Sequence, residues 1–529
     1  MPVFPHAPRP LVALLALCLT ACGGHPEGPT PPPQTPPSET PAPATAPPAA
    51  PNGPPRLVFL SAIDGYVEPC GCTIDLTLGG VDRIAARIQA ERAIGPTAVL
   101  TVGATLFDPH VPDPQPTAQA VAKAELLSKA LARIGVDAAL PAHAEMRYGA
   151  GALEPMVRLW RMPDVTVNVP GGAGRIVTLG DLKVGVLGVV DPADGPVPAG
   201  APTDPAEAAR AAAAALRAQG ATVVVGLAAL PRKPVRTLAK TVEGVDLWVL
   251  GVEPHEEARS QPAGGAYVLE SGDRGRNLGR VVLLDATSPG PLTDPAGERA
   301  RTLASVQSQL RMRQDLFART QDPALPPAIS ALETQVAELS GPAPVASGKR
   351  LEYELLPIGK EVVPEPEIAH WLADYNTRLK EINLANQAPV PPVPAGESAY
   401  AQGKNCISCH EKSQTVWLTT RHAHAWQTLV DANKTFDGEC VACHVTGWQR
   451  PGGVNLKNLE GMTNVQCEAC HGPGGIHVDD GGEDGHTHGA VAEAVCKTCH
   501  NQFHSPKFDY VTYLPKILGP GHAAAKSAH

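Results

Sequence analysis

The sequence predicts a layered α/β domain over residues 56–287, a helical connector over 288–396, and a mostly helical or irregular domain over 397–529. Two observations support this division. Apolar runs of strand length alternate with alanine-rich helical stretches in the first domain, and four Cys-x-x-Cys-His pentads lie in the last. The chain of 529 residues is too long for a single hydrophobic core, so several domains are expected.

Five apolar runs predict the strands of the first domain: Leu57–Leu60, Val99–Val102, Val184–Val190, Val223–Leu227 and Leu247–Leu250. Helical stretches lie between them at Ala118–Ile134 and Ala206–Arg217. Asp204 is expected to cap the second of these helices, and Pro205 suits its first turn. Strands that alternate with helices form a sheet covered by helices, which predicts an α/β fold.

The connector has the periodicity of charged helices broken by proline. It is predicted to contain two helices, a strand and a third helix: Ala296–Phe317, Ala328–Leu339, Leu351–Leu356 and Ile368–Leu384. Prolines within 389–394 mark the linker into the last domain. This pattern fits a spacer or a dimer arm and indicates no chemistry of its own.

The N-terminus has the pattern of an export signal. Arg9 precedes the apolar stretch Leu11–Leu19, which is too short to span a bilayer. Leu19-Thr20-Ala21-Cys22 resembles the lipobox of bacterial lipoproteins, in which the cysteine becomes the lipidated first residue. Residues 1–22 are therefore predicted to be a lipoprotein signal peptide with Cys22 as the lipidation site. An ordinary secretory signal cleaved near Ala21 is the alternative.

Residues 23–55 are predicted to be an extended tether. Fourteen prolines lie within 25–55, among few large apolar side chains, so this segment cannot bury enough surface to fold. Signal and tether together predict a location in the cell envelope, at the periplasmic face or the outer membrane, with the lipid as the membrane contact.

Each Cys-x-x-Cys-His pentad has the pattern of a c-type haem attachment motif. The two thiols reach the two vinyl groups of one porphyrin as thioethers, and the adjoining histidine becomes the proximal iron ligand. Structural zinc or disulfides are the alternatives, but neither explains a histidine after every second cysteine. The pentads predict four covalent haem c groups, with thioether residues Cys406, Cys409, Cys440, Cys443, Cys467, Cys470, Cys496 and Cys499 and proximal ligands His410, His444, His471 and His500.

The last domain contains 12 of the 18 histidines in the chain, more than proximal ligation requires. His422 and His477 are the predicted distal iron ligands. His424, His504 and His522 are weaker candidates. His486, His488 and His529 lie in polar stretches rich in glycine or alanine and are predicted to be solvated.

Two elements of the last domain resemble the tetrahaem cytochrome c-554 family: Trp417 with Arg421–Ala425, and the run C-E-A-C-H-G-P-G-G-I-H at 467–477. The resemblance implies closely packed haems whose irons mostly have two histidine ligands. Few strands and only short helices are expected here, because four porphyrins in about 130 residues would themselves form the core.

The first domain resembles the metallophosphatase fold of the 5′-nucleotidase superfamily. Working members bind two metals through D-x-H, G-D, G-N-H-E, a lone His and G-H-x-H. Here only Asp64, His143 and His255 remain as possible ligands, and the other ligand positions hold Tyr66, Ala104, Ala142, and Val252 or Glu253. Because Ala104 replaces the bridging carboxylate that a two-metal site needs, a catalytically silent domain used for docking is expected.

The first domain also contains Glu68-Pro69-Cys70-Gly71-Cys72 followed by Gly79-Gly80-Val81-Asp82-Arg83. This resembles a signature of exported members of the same superfamily that are fused to multihaem cytochromes. Cys70 and Cys72 could bind a metal or form a labile redox couple. A tight glycine turn with two buried thiols is an equal alternative.

The chain has a net charge of −10 at pH 7 and no basic cluster, so nucleic acid is not an expected partner. The last domain has 10 Lys+Arg against 13 Asp+Glu, which favours a positively charged redox partner. The sequence thus predicts an exported, lipid-anchored tetrahaem c-type cytochrome that carries electrons. The alternatives are chemistry on a small nitrogen or sulfur compound at a five-coordinate haem, or metal-dependent phosphoesterase activity.

Overall fold

The computed structural model describes residues 51–70, 78–110, 117–146, 148, 158–194, 200–342, 346–482, 487, 489, 491–501, 505 and 507–519. The predicted signal peptide, most of the tether, Cys22, Cys72, His504 and His522 lie outside these residues. So do His486, His488 and His529.

The described chain forms thirteen strands: β1 Arg56–Ser61, β2 Pro69–Cys70, β3 Leu78–Gly79, β4 Thr97–Gly103, β5 Ala138–Pro141, β6 Arg175–Leu179, β7 Leu182–Val190, β8 Val223–Ala229, β9 Leu247–Leu250, β10 Gln261–Ala263, β11 Ala266–Leu269, β12 Asn277–Leu284 and β13 Arg350–Pro357. They build one sheet of order β13-β12-β1-β4-β5, a second of order β10-β11-β9-β8-β7-β6, and the small pair β2-β3. Both large sheets are mixed. Their central pairs β1-β4 and β7-β8 are parallel, whereas β1-β12 and β6-β7 are antiparallel.

The two large sheets pack face to face, with helices on their outer surfaces. Leu57, Phe59 and Leu100 of the first sheet share one buried cluster with Val184 and Val225 of the second. The helices of this domain are Val81–Ile94, Ala118–Ile134, His143–Met146, Pro205–Ala218 and Arg232–Thr241. This arrangement confirms the predicted layered α/β architecture, and it has two central sheets.

Local signals in the sequence set the helix starts. The Asp204 side chain accepts a hydrogen bond from the Glu207 backbone N–H at 2.8 Å, which confirms the predicted cap. Thr117 caps the helix Ala118–Ile134 in the same way, accepting from the Ala120 backbone N–H at 3.1 Å. Each cap satisfies a backbone donor that the first helical turn leaves without a partner.

The connector forms a helical hairpin, Pro295–Thr320 and Leu325–Ser340, followed by β13 and the helix Pro366–Ala385. The predicted helices and strand are present, but β13 pairs with β12 along eight residues and becomes an edge of the first sheet. Ile368 and Leu372 of the last helix join the buried cluster beneath that sheet. The α/β body therefore continues beyond residue 287, and the helical hairpin is an insertion within it.

The last domain consists of short helices joined by irregular chain, as predicted. Its α-helices are Glu411–Trp417, Ala425–Asp431, Gly438–His444, Cys467–His471, Gly475–Asp479, Glu493–Lys497 and Tyr510–Tyr513, with 3-10 turns at Gly403–Asn405, Arg421–His424 and Leu514–Lys516. Its described apolar core is one small cluster: Leu429, Val441, Val445, Val454, Leu456 and Met462. Across the described residues of the whole chain, no helix is both long and apolar enough to cross a bilayer.

Candidate functional site

All four pentads adopt a helical turn. The second and third lie in the helices Gly438–His444 and Cys467–His471. In the first, the His410 N–H donates to the Cys406 carbonyl at 3.0 Å, and in the fourth, the His500 N–H donates to the Cys496 carbonyl at 2.8 Å. A helical turn puts residues three apart on one face, so both cysteines of each pentad point to the same side.

The pentads lie next to one another in space. The Cys406 and Cys467 thiols share a hydrogen bond, which lowers the pKa of Cys467. A hydrogen bond with Cys443 lowers the pKa of Cys499 in the same way. The first pentad is thus adjacent to the third, and the second to the fourth.

Hydrogen bonds orient two of the predicted proximal histidines. Nδ1 of His444 lies 2.6 Å from the Ala425 carbonyl oxygen. Nδ1 of His500 lies 3.0 Å from the Ser505 hydroxyl. When Nδ1 donates the hydrogen bond, Nε2 is the unprotonated nitrogen that a metal can bind.

Two predicted distal histidines lie near predicted proximal ones. The ring centres of His410 and His477 are 6.3 Å apart, and those of His422 and His500 are 6.0 Å apart. Metal–imidazole bonds are about 2.0 Å long, so imidazoles on opposite sides of one metal have ring centres roughly 6 Å apart. Both observed separations match that value.

Burial keeps the second of these pairs in the metal-binding form. It lowers the pKa of His422 and of His500, and the neighbouring His500 adds to the effect on His422. A neutral imidazole is the form that binds a metal, so this environment favours ligation.

The other histidines differ in their surroundings. Nε2 of His424 lies 3.2 Å from the Leu418 carbonyl oxygen, so this nitrogen already has a backbone partner. Within the described part of the chain, His444 has no imidazole opposite it at the separation that the two pairs show. The remaining distal candidates, His504 and His522, lie outside the described residues.

Glu468, between the cysteines of the third pentad, connects two loops to its own helix. One of its oxygens accepts from the N–H groups of Ala401 at 2.7 Å and Gly474 at 2.8 Å, and the other from Gln402 at 2.8 Å. Hydrogen bonds to a charged group stabilise by about 1.5–3 kcal/mol each. The motif alone does not predict this role for Glu468, although an acidic residue between the two cysteines is a usable signal.

The chain after the third pentad turns sharply towards His477. Gly472 has φ +78°, in the left-handed region where a side chain would be strained. This turn directs the chain into the helix Gly475–Asp479, which contains His477. The glycine run after the third pentad thus brings His477 close to the first pentad.

This donor set fits covalent haem c. Paired thiols face one side of each turn, two proximal imidazoles are fixed at Nδ1, and two further imidazoles stand at the separation that one iron requires. A buried polar atom without a partner lies beside the second pentad as well. The Tyr375 hydroxyl has no hydrogen-bond partner in the described structure, and its electrostatic neighbours include Asp437, Glu68 and Cys440.

The phosphatase-like positions of the α/β domain are arranged differently. Asp64 follows β1 and is buried, and burial together with the nearby Asp273 and Asp108 raises its pKa. The Arg274 guanidinium lies 4.5 Å from the ring centre of Tyr66. Its positive charge also acts on the Asp64 carboxyl. The positively charged group beside Asp64 is thus an arginine side chain of the protein.

The described side chains do not form a metal site around Asp64. His255 is exposed, and its backbone N–H donates to Glu270 at 2.9 Å. The side chain of His143 is not among the side chains that the structure describes. Among the described residues, no group of three metal-ligating side chains comes together.

Of the Cys70/Cys72 segment, the structure describes the backbone of Cys70, which pairs with Leu78 in the β2-β3 hairpin. Glu68, two residues earlier, contacts the last domain through Lys434. No local sequence pattern around Glu68 or Lys434 predicts this contact.

Comparisons with known proteins agree with the motif in the last domain. Residues 405–472 match the family model described as cytochrome c554 and c-prime. Cytochrome c-554 of Nitrosomonas europaea is 29% identical over 166 residues, covering 23% of this chain and 68% of the relative. The last domain therefore resembles the cytochrome c554 family, and this resemblance implies covalently bound haem c. The predicted resemblance is confirmed, and the match includes the first three pentads.

Two solved structures are similar to larger parts of the chain. The sulfate thiohydrolase SoxB of Thermus thermophilus is 15% identical, with 62% of this chain and 61% of that chain covered and a TM-score of 0.44. A 5′-nucleotidase precursor, also from Thermus thermophilus, is 17% identical, with 71% and 67% covered and a TM-score of 0.43. The chain spans under two thirds of the first of these, and nothing about activity follows from such scores.

Proposed function

We propose that this protein is a tetrahaem c-type cytochrome that transfers electrons, with one haem attached at each pentad. The observation that supports this best is the two pairs of neighbouring imidazoles, His410 with His477 and His422 with His500. An iron with two strong axial ligands has no open position for a substrate, which suits electron transfer. The adjacency of the pentads supports this proposal, because a relay of electrons requires haems that lie close together.

A second candidate function follows from His444. Because the described residues place no imidazole opposite it, the second haem could have an open iron position that binds a small nitrogen or sulfur compound. Reduction of the bound compound at that haem would take electrons from the other haems, and oxidation of it would pass electrons to them.

Carbon monoxide distinguishes these two functions. For electron transfer alone, we expect the reduced protein to keep a fully low-spin spectrum when carbon monoxide is added, because that function assigns two axial ligands to every iron. Visible spectroscopy during the titration measures this. Binding of one carbon monoxide per chain would contradict that expectation and support the second candidate.

We also propose that the protein is exported and anchored by lipid at Cys22. The lipobox and the proline-rich tether support this. We expect Cys22→Ser to move the protein from the membrane fraction to the soluble fraction, with its haem content unchanged. Fractionation followed by haem staining measures both, and an unchanged membrane fraction would contradict the anchor.

The partners that we propose are redox proteins with a positively charged docking surface. The acidic balance of the last domain, to which haem propionates would add, supports this choice. The α/β domain serves for docking rather than catalysis in this proposal, because Ala104 stands where a bridging carboxylate is needed.

A further inference from the structure

The second pentad lies against the α/β domain. Asp437, at the start of the helix Gly438–His444, accepts a hydrogen bond from Gln119 at 2.7 Å. The Asn383 side chain donates to the Phe436 carbonyl and to the Gln119 side chain, both at 2.7 Å. Gln119 and Asn383 belong to the helices Ala118–Ile134 and Pro366–Ala385, so these two helices form one wall of the second haem site.

Charges from both domains meet at this wall. Lys434 forms an ion pair with Glu68, and its Nζ lies 2.8 Å from the Asn376 side-chain oxygen. The Asn376 amide in turn donates to Glu68 at 2.9 Å. The Lys434 Nζ lies 3.9 Å from Asp437. The ion pair therefore connects the segment before Cys70 to the cap of the second attachment helix.

These charges are partly shielded from water. The side chains of Lys434, Glu68 and Asp437 are 15%, 28% and 8% exposed. Charges removed from water act on each other more strongly and are screened less by salt. Lys434 and Asp437 are also among the electrostatic neighbours of the Cys440 sulfur, together with Glu439 and Lys123.

We propose that Glu68 and Lys434 are positioning residues that set the reduction potential of the haem at the second pentad, in opposite directions. Reduction adds one negative charge to a haem. A nearby carboxylate disfavours that charge and lowers the potential, whereas a nearby ammonium group favours it and raises the potential. The α/β domain thereby adjusts one haem of the neighbouring domain. This inference rests on the proposed function, because it requires a haem at Cys440 and Cys443.

The test is a spectroscopic redox titration of the full-length protein with its haems, comparing Glu68→Gln with Lys434→Gln. Glu68→Gln is expected to raise one of the haem potentials and Lys434→Gln to lower the same one. A shift on the order of a tenfold change in the one-electron equilibrium constant, about 59 mV, is expected for each. Glu68→Asp keeps the charge and should shift the potential less than Glu68→Gln.

Glu243→Gln is the matched control, because Glu243 is an exposed carboxylate of the same domain. It should leave all potentials unchanged. Shifts of the same sign in Glu68→Gln and Lys434→Gln would indicate mere loosening of the interface and overturn the inference. Unchanged reduction potentials of all four haems in both variants would also overturn the inference. Mass spectrometry that finds no haem on the second pentad would instead overturn the proposed function.

Discussion

Replacing His477 by Ala is expected to convert one iron from six-coordinate low-spin to five-coordinate high-spin and to create one carbon monoxide site per chain. The ring of His477 lies 6.3 Å from that of His410, the separation that a shared iron requires. Covalent attachment should survive, because the two thioethers and His410 remain. Visible and electron paramagnetic resonance spectra of the purified variant measure the change.

His422→Ala should have the same effect on the haem of the fourth pentad, since its ring lies 6.0 Å from that of His500. His424→Ala is the matched control. It lies in the same turn, Arg421–His424, but its Nε2 already faces the Leu418 carbonyl, so no additional high-spin iron is expected. If His477→Ala and His422→Ala both show the wild-type spectrum, the two proposed iron pairs are wrong.

Much of the α/β domain could be predicted because its signals are local. Runs such as Val223–Leu227 are fully buried strands and read as continuous apolar stretches, and the caps at Thr117 and Asp204 mark helix starts. The division into two sheets could not be predicted. Pairings such as β1 with β12 join residues far apart in sequence, and no local pattern specifies them.

The connector shows the same limit. Its helices follow from periodicity, but β13 becomes an edge of the first sheet only through its partner β12. No residue within such a strand specifies which other strand it pairs with. The predicted boundary at 287 therefore cuts through a unit whose core includes Leu351 and Ile368.

Within the candidate site, the sequence predicts haem attachment at each pentad, but it does not predict which imidazoles lie near each other. The thiols and the proximal histidine of each pentad lie within one turn of chain, so the motif itself contains the chemistry. The opposition of His422 to His500 depends on tertiary packing. The ion pair between Glu68 and Lys434 likewise joins two domains, and only the folded chain reveals it.

Mass spectrometry of the intact protein, produced in cells that mature c-type cytochromes, tests the central claim most directly. The account predicts the mass of the mature polypeptide plus four haems, together with a positive pyridine haemochrome spectrum. Replacing both Cys440 and Cys443 by Ala should remove one haem and leave three, because each pentad holds its own porphyrin. A protein that contains zinc and gives no haemochrome, or an unchanged haem count in the double variant, would contradict the account.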